Sequence, residues 1–467
     1  MRKLVSTLRE AIEKSGLRDG MTVSFHHHLR NGDHVLNLVL EEIAALGIRD
    51  LTVNASSIHD VHAPIVGHME RGVVTGLETN YIGPAVGEAI SRGVLQKPVV
   101  FRTHGGRPAD IESGASHIDV AFIAAPTSDP MGNCTGVLGK SACGALGYAF
   151  ADAAHADKVV VVTDNLVPYP LTTRSISESV VDFVVEVDSI GDPARIVSGT
   201  TRMPRDPIAL RIADLAARAI EASGLLADGF SFQTGAGGAS LATAASLRRI
   251  MLEKGIRGGF ALGGITGYLV EMLHEGLFES IQDVQCFDLK AVESLRDDPN
   301  HIEITGSEYA SPAAKSSAAS NLDVVVLGAT EIDTDFNVNV HTDSNGKIIG
   351  GSGGHSDVAE EAKLTVIVAP LSRARMSIVV DRVGCVSTPG ENVDLLVTQA
   401  GIAVNPARPE LARRLAEAGL PVVDIRALKE RAERLNGRAK KAPRGERVVA
   451  RVLDRHGREI DQIHQTL

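Results

Sequence analysis

The chain has 467 residues, which at about 150 residues per domain is too many for one ordinary core and sets a prior of two or three domains. Hydrophobic residues make up 44% and charged residues 22%, which excludes disorder over most of the chain. With 47 basic against 58 acidic residues, a formal charge of −11, 3% aromatics and no Trp, it lacks the phosphate-neutralising charge and the stacking platforms of a nucleic-acid binder.

Met1–Ser15 is charged and amphipathic, with Leu4, Leu8 and Ile12 on one helical face and no apolar signal core. The longest apolar runs, near Val159 and Val324, fall far short of a membrane span. Cys134, Cys143, Cys286 and Cys385 form no C-x-x-C pair and read as reduced thiols of a cytoplasmic protein. Short apolar runs at Met21–Phe25, Leu51–Val53, Pro98–Phe101, Ile118–Ala124, Val159–Val162 and Val181–Val185 predict buried strands. Leu36–Leu46 and Pro84–Arg92 predict helices between them, so the sheets are expected to be largely parallel and covered on both faces.

The second half repeats this order. Ser24-Phe25 returns as Ser231-Phe232, Gly47-Ile48-Arg49 as Gly255-Ile256-Arg257, and Ile118-Asp119-Val120 as Leu322-Asp323-Val324. Lys158 returns as Lys363, Val181–Val185 as Val393–Val397, and Pro193-Ala194-Arg195 as Pro406-Ala407-Arg408. The separation stays near roughly 200 residues, too long for a solenoid repeat. The expected architecture is therefore α/β, two tandem duplicated domains with mainly parallel sheets flanked by helices. The first spans 1–206. The second spans 207–467, with a C-terminal helix (Pro409–Ala418) and a closing hairpin (Val448–Leu453, Glu459–Ile463). The boundary falls near Asp206-Pro207, ahead of a helix predicted over Ile208–Ser223. Leu428–Arg447, rich in Lys and Arg, is either a solvated helix and linker or a docking strip for an acidic partner.

Five segments carry possible chemistry. Gly350–Asp357 lies between a strand signal at Lys347–Ile349 and a helix expected near Val358, with Asp357 placed to cap it. It is either a loop that binds a phosphate or oxyanion at a helix N-terminus or simply a tight turn, and the pattern leaves both open. Phe232–Ser240 has the same logic, but lacks the spacing G-x-G-x-x-G and the acid about 20 residues on, which rejects a dinucleotide. Its counterpart, Phe25–His34, holds three adjacent histidines, His26, His27 and His28. Neighbours on a strand point to opposite faces, so a metal is not expected, and the trio reads as a polar lining or as helix entry. Asp333–Asn339 and Asp129–Asn133 are either ligand-contacting loops or turn chemistry. No G-x-S-x-G, Walker or H-E-x-x-H motif occurs.

Gly351–Asp357 resembles the G-x-G-G-x-x-D loop of coenzyme A transferases. Val23–His28, Phe230–Gly235, Phe260–Thr266, Glu331–Val340 and Gly401–Pro409 resemble the α subunits of citrate lyase, from about Leu17 to the C-terminus, in a family whose members often carry more residues ahead of the first strand. The resemblance implies a transferase that exchanges acetate for citrate on an acyl carrier thioester. It also implies a β subunit that cleaves the citryl-carrier and a γ subunit that is the acyl carrier protein. A homo-oligomer is expected, with no nucleic acid or membrane as partner. No tightly bound cofactor is implied; the coenzyme-A-derived prosthetic group of the carrier, or a coenzyme A thioester, enters as substrate.

Where coenzyme A transferases carry a nucleophilic glutamate in S-E-N-G, this chain has Gly263-Gly264-Ile265-Thr266-Gly267. The resemblance therefore implies a mixed anhydride formed directly on citrate. The catalytic candidates are Gly353, Gly354, Gln233 and Gly235, the backbone N–H groups of Gly235 to Gly238 being possible oxyanion donors. The substrate- and thioester-binding candidates are His26, His27, His28, Thr234, Gly237, Gly238, Gly263, Gly264, Asn337, Asn339, Gly351, Ser352 and His355. Arg30, Arg102, Arg202, Arg373 and Arg375 are possible carboxylate clamps. A citramalate-specific homologue, an acyl-coenzyme A hydrolase, another transferase of this fold and a non-catalytic ligand sensor are the alternatives.

Overall fold

The computed structural model describes residues 3–197, 204–235, 237–437 and 443–467; Arg202 and Ala236 lie outside them. Two sheets dominate. The first runs, edge to edge, through Leu4–Val5, Phe183–Glu186, Lys158–Thr163, Val120–Ala125, Thr22–Phe25, Leu51–Ala55, Val74–Thr79, Val99–Phe101, Arg444–Leu453 and Glu459–Thr466. The second runs through His301–Glu303, Phe278–Cys286, Gly258–Ile265, Ser231–Thr234, Val324–Gly328, Leu364–Val368, Leu395–Thr398 and Gly401–Val404. All pairings are parallel except the two that close each sheet at its last strand.

The duplication read from six short strings is visible in this order. The Thr22–Phe25 strand pairs on one side with Val120–Ala125 and on the other with Leu51–Ala55. Its counterpart Ser231–Thr234 pairs likewise with Val324–Gly328 and Gly258–Ile265. The central strands are buried on both faces, which is why they read as continuous apolar runs: Val159–Val162 are at most 1% exposed. Each such valine contributes about 1.5–3 kcal/mol by leaving water.

The helix Pro207–Ser223 shows how local chemistry sets an element. Asp206 accepts the N–H groups of Ile208 (3.3 Å) and Ala209 (3.1 Å), Pro207 takes the first turn, and Gly224 ends it at φ 85°. Its apolar side packs on Gly238–Lys254.

Three expectations are corrected. The closing hairpin belongs to the first sheet, not to the second half: Ala450, Arg451 and Val452 pair in parallel with Val99, Val100 and Phe101. The physical reason is the bare edge that Val99–Phe101 would otherwise present. Lys347–Ile349 forms no strand; only a bridge between Thr342 and Ile348 occurs there. The helix after the glycine loop starts at His355, so Asp357 lies inside its first turn and its side chain serves another purpose, described below.

The C-terminal strand ends of the two halves face each other, the usual place for a ligand in parallel sheets. Gly350 O accepts the Ile82 N–H (3.2 Å), His104 N–H donates to Gly353 O (2.8 Å), and Gly353 N–H donates to Asn80 O (3.2 Å). The glycine loop of the second half is thereby stitched to two strand ends of the first.

Candidate active site

The glycine loop packs so closely that side chains are excluded. A Cβ at Gly351 would collide with Asn80 O and one at Gly354 with the Tyr309 phenol, while Gly353 is left-handed at φ 52° beside the His104 ring. Asp357 holds the far wall. Its carboxylate accepts the Thr103 hydroxyl (2.6 Å) and the Gly105 N–H (3.0 Å), bracketing His104. Burial pushes the Asp357 carboxyl up to about 7.

The three adjacent histidines lie just past the strand Thr22–Phe25 and divide between two sets of partners. His26 and His28 meet through Nδ1 atoms 2.7 Å apart. His27 bridges the halves: its Nε2–H donates to Gln285 Oε1 (3.0 Å), its Nδ1 pairs with the Ser56 hydroxyl (2.6 Å), and Gln285 Nε2 donates to His27 O (3.2 Å). Its ring stacks with His104 and Tyr148. Burial depresses all of these imidazoles: His26 to about 4, His104 to about 3, and His27, His28 and His59 well below their ordinary value. They are neutral at neutral pH. Both ring nitrogens of His27 are thus engaged by the protein across the interface.

Several other expected contacts are engaged by the protein itself. Gly353 N–H is held by Asn80 O and Gly235 N–H by Val326 O (2.8 Å), so neither is available to an oxyanion. His355 has both nitrogens bonded, to Thr388 Oγ1 (2.8 Å) and Gly328 O (2.9 Å), and positions the loop. Asn339 is fully buried between Glu331, His341 and Thr342. Asn337 closes a turn with Asp333 and accepts the Gly390 N–H. These two asparagines are turn chemistry. Arg102 is paired with Glu78 and Asp110, and Arg373 and Arg375 are exposed on a hairpin, which leaves Arg30 among the described arginines expected as clamps.

What is left without a partner outlines the site. Among the described residues, buried polar atoms with no hydrogen bond include Gln233 Oε1, Thr266 Oγ1, the Asn80 amide, His104 Nδ1, His59 Nε2 and Arg30 Nη1. Gln233 Nε2 donates to Tyr309 Oη (3.0 Å), so the Tyr309 O–H remains a donor beside the Gly354 N–H. Thr234 ends the strand that carries Gln233, its hydroxyl donating to Gly235 O (3.2 Å), Gly237 and Gly238 open a 17-residue helix, and Ser352 lies in the glycine loop. Gly263 is left-handed (φ 105°) with the Gln233 amide against it, and Gly264 faces the Phe287 ring so closely that a Cβ would collide. His59, Asn80, Tyr81, His104, Tyr148 and Tyr309 carry no motif. The only sequence signal for most of them is position just beyond the end of a parallel strand. A separate groove of about 940 Å³, lined by Glu331, Asp381, Arg382, Arg444 and Asp461, contains none of these residues.

Two facing α/β halves with mainly parallel sheets, the glycine loop of one pressed against strand ends of the other, define a duplicated α/β protein with its candidate site between the halves. The family described as "Citrate lyase, alpha subunit (CitF)" matches residues 1–466. The citrate lyase alpha chain of Escherichia coli (strain K12) is 50% identical over 464 residues, 99% of this chain and 91% of that one. The Klebsiella pneumoniae alpha chain is 48% identical with the same coverage. A Streptococcus mutans structure described as the alfa subunit of citrate lyase in complex with citrate superposes with a TM-score of 0.98 at 48% identity, covering 100% of this chain and 92% of that one. A Pseudomonas malonate decarboxylase hetero-tetramer in complex with malonate shares the fold at a TM-score of 0.68 and 18% identity, over 93% of this chain and 88% of that one. The chain belongs to the citrate lyase alpha subunit family. It is a transferase, a subunit of a multisubunit complex.

Proposed function

We propose that this chain exchanges acetate for citrate on an acyl carrier thioester by way of a mixed anhydride, without an acyl-enzyme. A citrate carboxylate oxygen attacks the acetyl carbonyl, the carbon–sulfur bond breaks, and the carrier thiolate leaves. The thiolate then attacks the citryl carbonyl of the anhydride and acetate departs. Both steps pass through a tetrahedral oxyanion, for which Gly354 N–H and Tyr309 O–H are the proposed donors, with the Gly237 and Gly238 N–H groups at a helix start proposed beside the thioester. Such a donor is worth about 2.7–4 kcal/mol in the transition state. Holding both reactants between the two halves supplies up to about 7–11 kcal/mol, and a closed interface keeps water from the anhydride.

The observation that carries this reading is the pairing of unengaged donors with engaged acids. Asp357 is held by Thr103 and Gly105, Asp283 by His301 and Cys286, and Glu303 by Leu146 N–H. At Gly264, on the strand where a nucleophilic glutamate is expected in the wider fold, the Phe287 ring fills the space. The citrate in the Streptococcus mutans relative supports the choice of acid. The reading extends to a β subunit and a γ acyl carrier subunit as partners and to the cytoplasm as location; among the described residues no helix is long and apolar enough to cross a membrane.

The test is a mass-spectrometric assay of the purified chain with acetyl-coenzyme A and citrate or citramalate, with borohydride added during turnover. Citryl-coenzyme A, acetate and an unmodified chain are expected. A borohydride-trapped enzyme thioester overturns the direct anhydride, and free coenzyme A with acetate alone indicates a hydrolase.

A further inference from the structure

Arg30, half-buried, is set apart from the buried guanidinium groups of the described chain. Arg102 pairs with Glu78 and Asp110, Arg107 with Asp152, and Arg455 with Glu361. Arg30 has no carboxylate partner, and its Nη1 is out of solvent with no hydrogen bond. Its guanidinium lies 4.5 Å over the Phe287 ring, which belongs to the other half. Its backbone is left-handed at φ 51°, a conformation that disfavours a side chain other than glycine. An N–H edge withdrawn from water without a counter-charge is costly, and a cation held flat against an aromatic face still presents that edge.

A second unengaged donor lies nearby. His59 Nδ1 accepts the His62 backbone N–H, so the proton of this neutral ring sits on Nε2, which is buried and unpartnered. The charged and titratable groups around Arg30 are His27, His59 and Tyr81. Asp60, the acid next to Tyr81, turns its carboxylate to the Ala85 N–H (3.1 Å). Tyr81 packs against Gly351, so this pocket adjoins the glycine loop.

We infer that Arg30 and His59, roofed by Phe287, form a subsite for a second carboxylate of the acid substrate, distinct from the carboxylate that reacts at the glycine loop. The assignment rests on the transferase reading above. Guanidinium and carboxylate edges match as a two-bond fork, which a lysine cannot reproduce. Acetate has only the reacting carboxylate and does not reach this subsite. Citrate has two more. The subsite therefore sets the preference for a polycarboxylate over a simple acid.

Two readouts test it on the full chain. The first is the ratio of citryl-coenzyme A formation to exchange of labelled acetate into acetyl-coenzyme A. Arg30→Gln is expected to lower this ratio by on the order of 100-fold through a raised citrate KM, and Arg30→Lys to recover part of it. Losses in proportion, or an unchanged ratio, overturn the assignment. The second is the rise in Tm on adding citrate, which needs no turnover. It is expected in the wild-type chain and absent in Arg30→Gln; an equal rise in both overturns the assignment. If the wild-type chain performs neither reaction, the transferase reading fails by itself, and the Tm comparison still decides the role of Arg30.

Discussion

Gly354→Ala isolates the glycine loop without disturbing its backbone. Gly354 sits at φ −91°, ψ 3°, which alanine also adopts, so no conformational strain is added. The whole effect comes from the new methyl. It would overlap Tyr309 Oη and stand 3.1 Å from Tyr309 Cε1 and Cζ. The phenol must move, and the 3.0 Å bond from Gln233 Nε2 stretches or breaks. Overpacking of this kind costs about 1–3 kcal/mol of stability. Displacing one oxyanion donor costs about 2.7–4 kcal/mol of transition-state stabilisation, a fall in kcat of roughly 10²–10³. The assay is initial-rate formation of citryl-coenzyme A, beside Tm. Tyr309→Phe removes the hydroxyl without the methyl and is expected to cost a similar factor. In the double variant the overlap with the hydroxyl is gone, so the two losses are expected to be far from additive. A wild-type kcat in Gly354→Ala, or full additivity in the double variant, would falsify the placement of the reacting carbonyl at this loop.

Three further outcomes are expected. His26 is depressed from 6.5 to about 4, so between those values the unfolded chain binds a proton that the folded chain does not; its contribution is present above pH 6.5 and is lost as pH falls towards 4, about 3 kcal/mol in all. Urea unfolding at pH 7.5 and 5 measures this, and a His26→Gln chain with the same pH slope as wild type would refute it. Asn339→Ala leaves the His341 and Thr342 N–H groups unsatisfied and is expected to lower stability by about 1–3 kcal/mol per group with citrate KM unchanged; a raised KM at unchanged Tm would restore Asn339 to the ligand. Gly264→Ala pushes Phe287 from its place over Arg30, so citrate KM is expected to rise more than the KM for labelled acetate, and equal changes would separate Phe287 from the subsite.

The duplication was legible because parallel central strands are buried on both faces, so their Val-rich runs survive as strings in both halves. The closing hairpin was not. Its strand finds Val99–Phe101 across more than three hundred intervening positions, and nothing local in Val448–Leu453 records that partner. The glycine loop was legible because backbone packed this tightly against Asn80 and Tyr309 tolerates no Cβ. The roles within it were not. His355, Asn337 and Asn339 have the residue types of ligand contacts, but hydrogen-bond capacity is a property of three-dimensional neighbours, and theirs is filled by Gly328, Thr388, Asp333 and Thr342. Conversely, His104 enters the site from a loop and Tyr309 from the short helix Gly306–Ala310, through contacts between halves that no local pattern records.

The same neighbours support the proposal that the transfer proceeds here without a carboxylate of the chain's own. In the proposed mechanism citrate brings the nucleophile already ionised, and the tetrahedral oxyanion adds negative charge beside two carboxylates that remain. At an effective dielectric near 20, one more unpaired carboxylate 4 Å away would oppose that charge by about 4 kcal/mol. The structure keeps such charge out in two ways. Asp357 is raised towards its neutral form and bound on both oxygens, and Gly264 is closed by Phe287 where an acid side chain would otherwise enter. The histidines are neutral for the same reason of burial, so they lend dipoles without adding hydrated charge. The field felt by the reacting carbonyl is then set by N–H and O–H groups fixed before the substrate arrives, which is the condition under which such donors lower a barrier rather than only tighten binding.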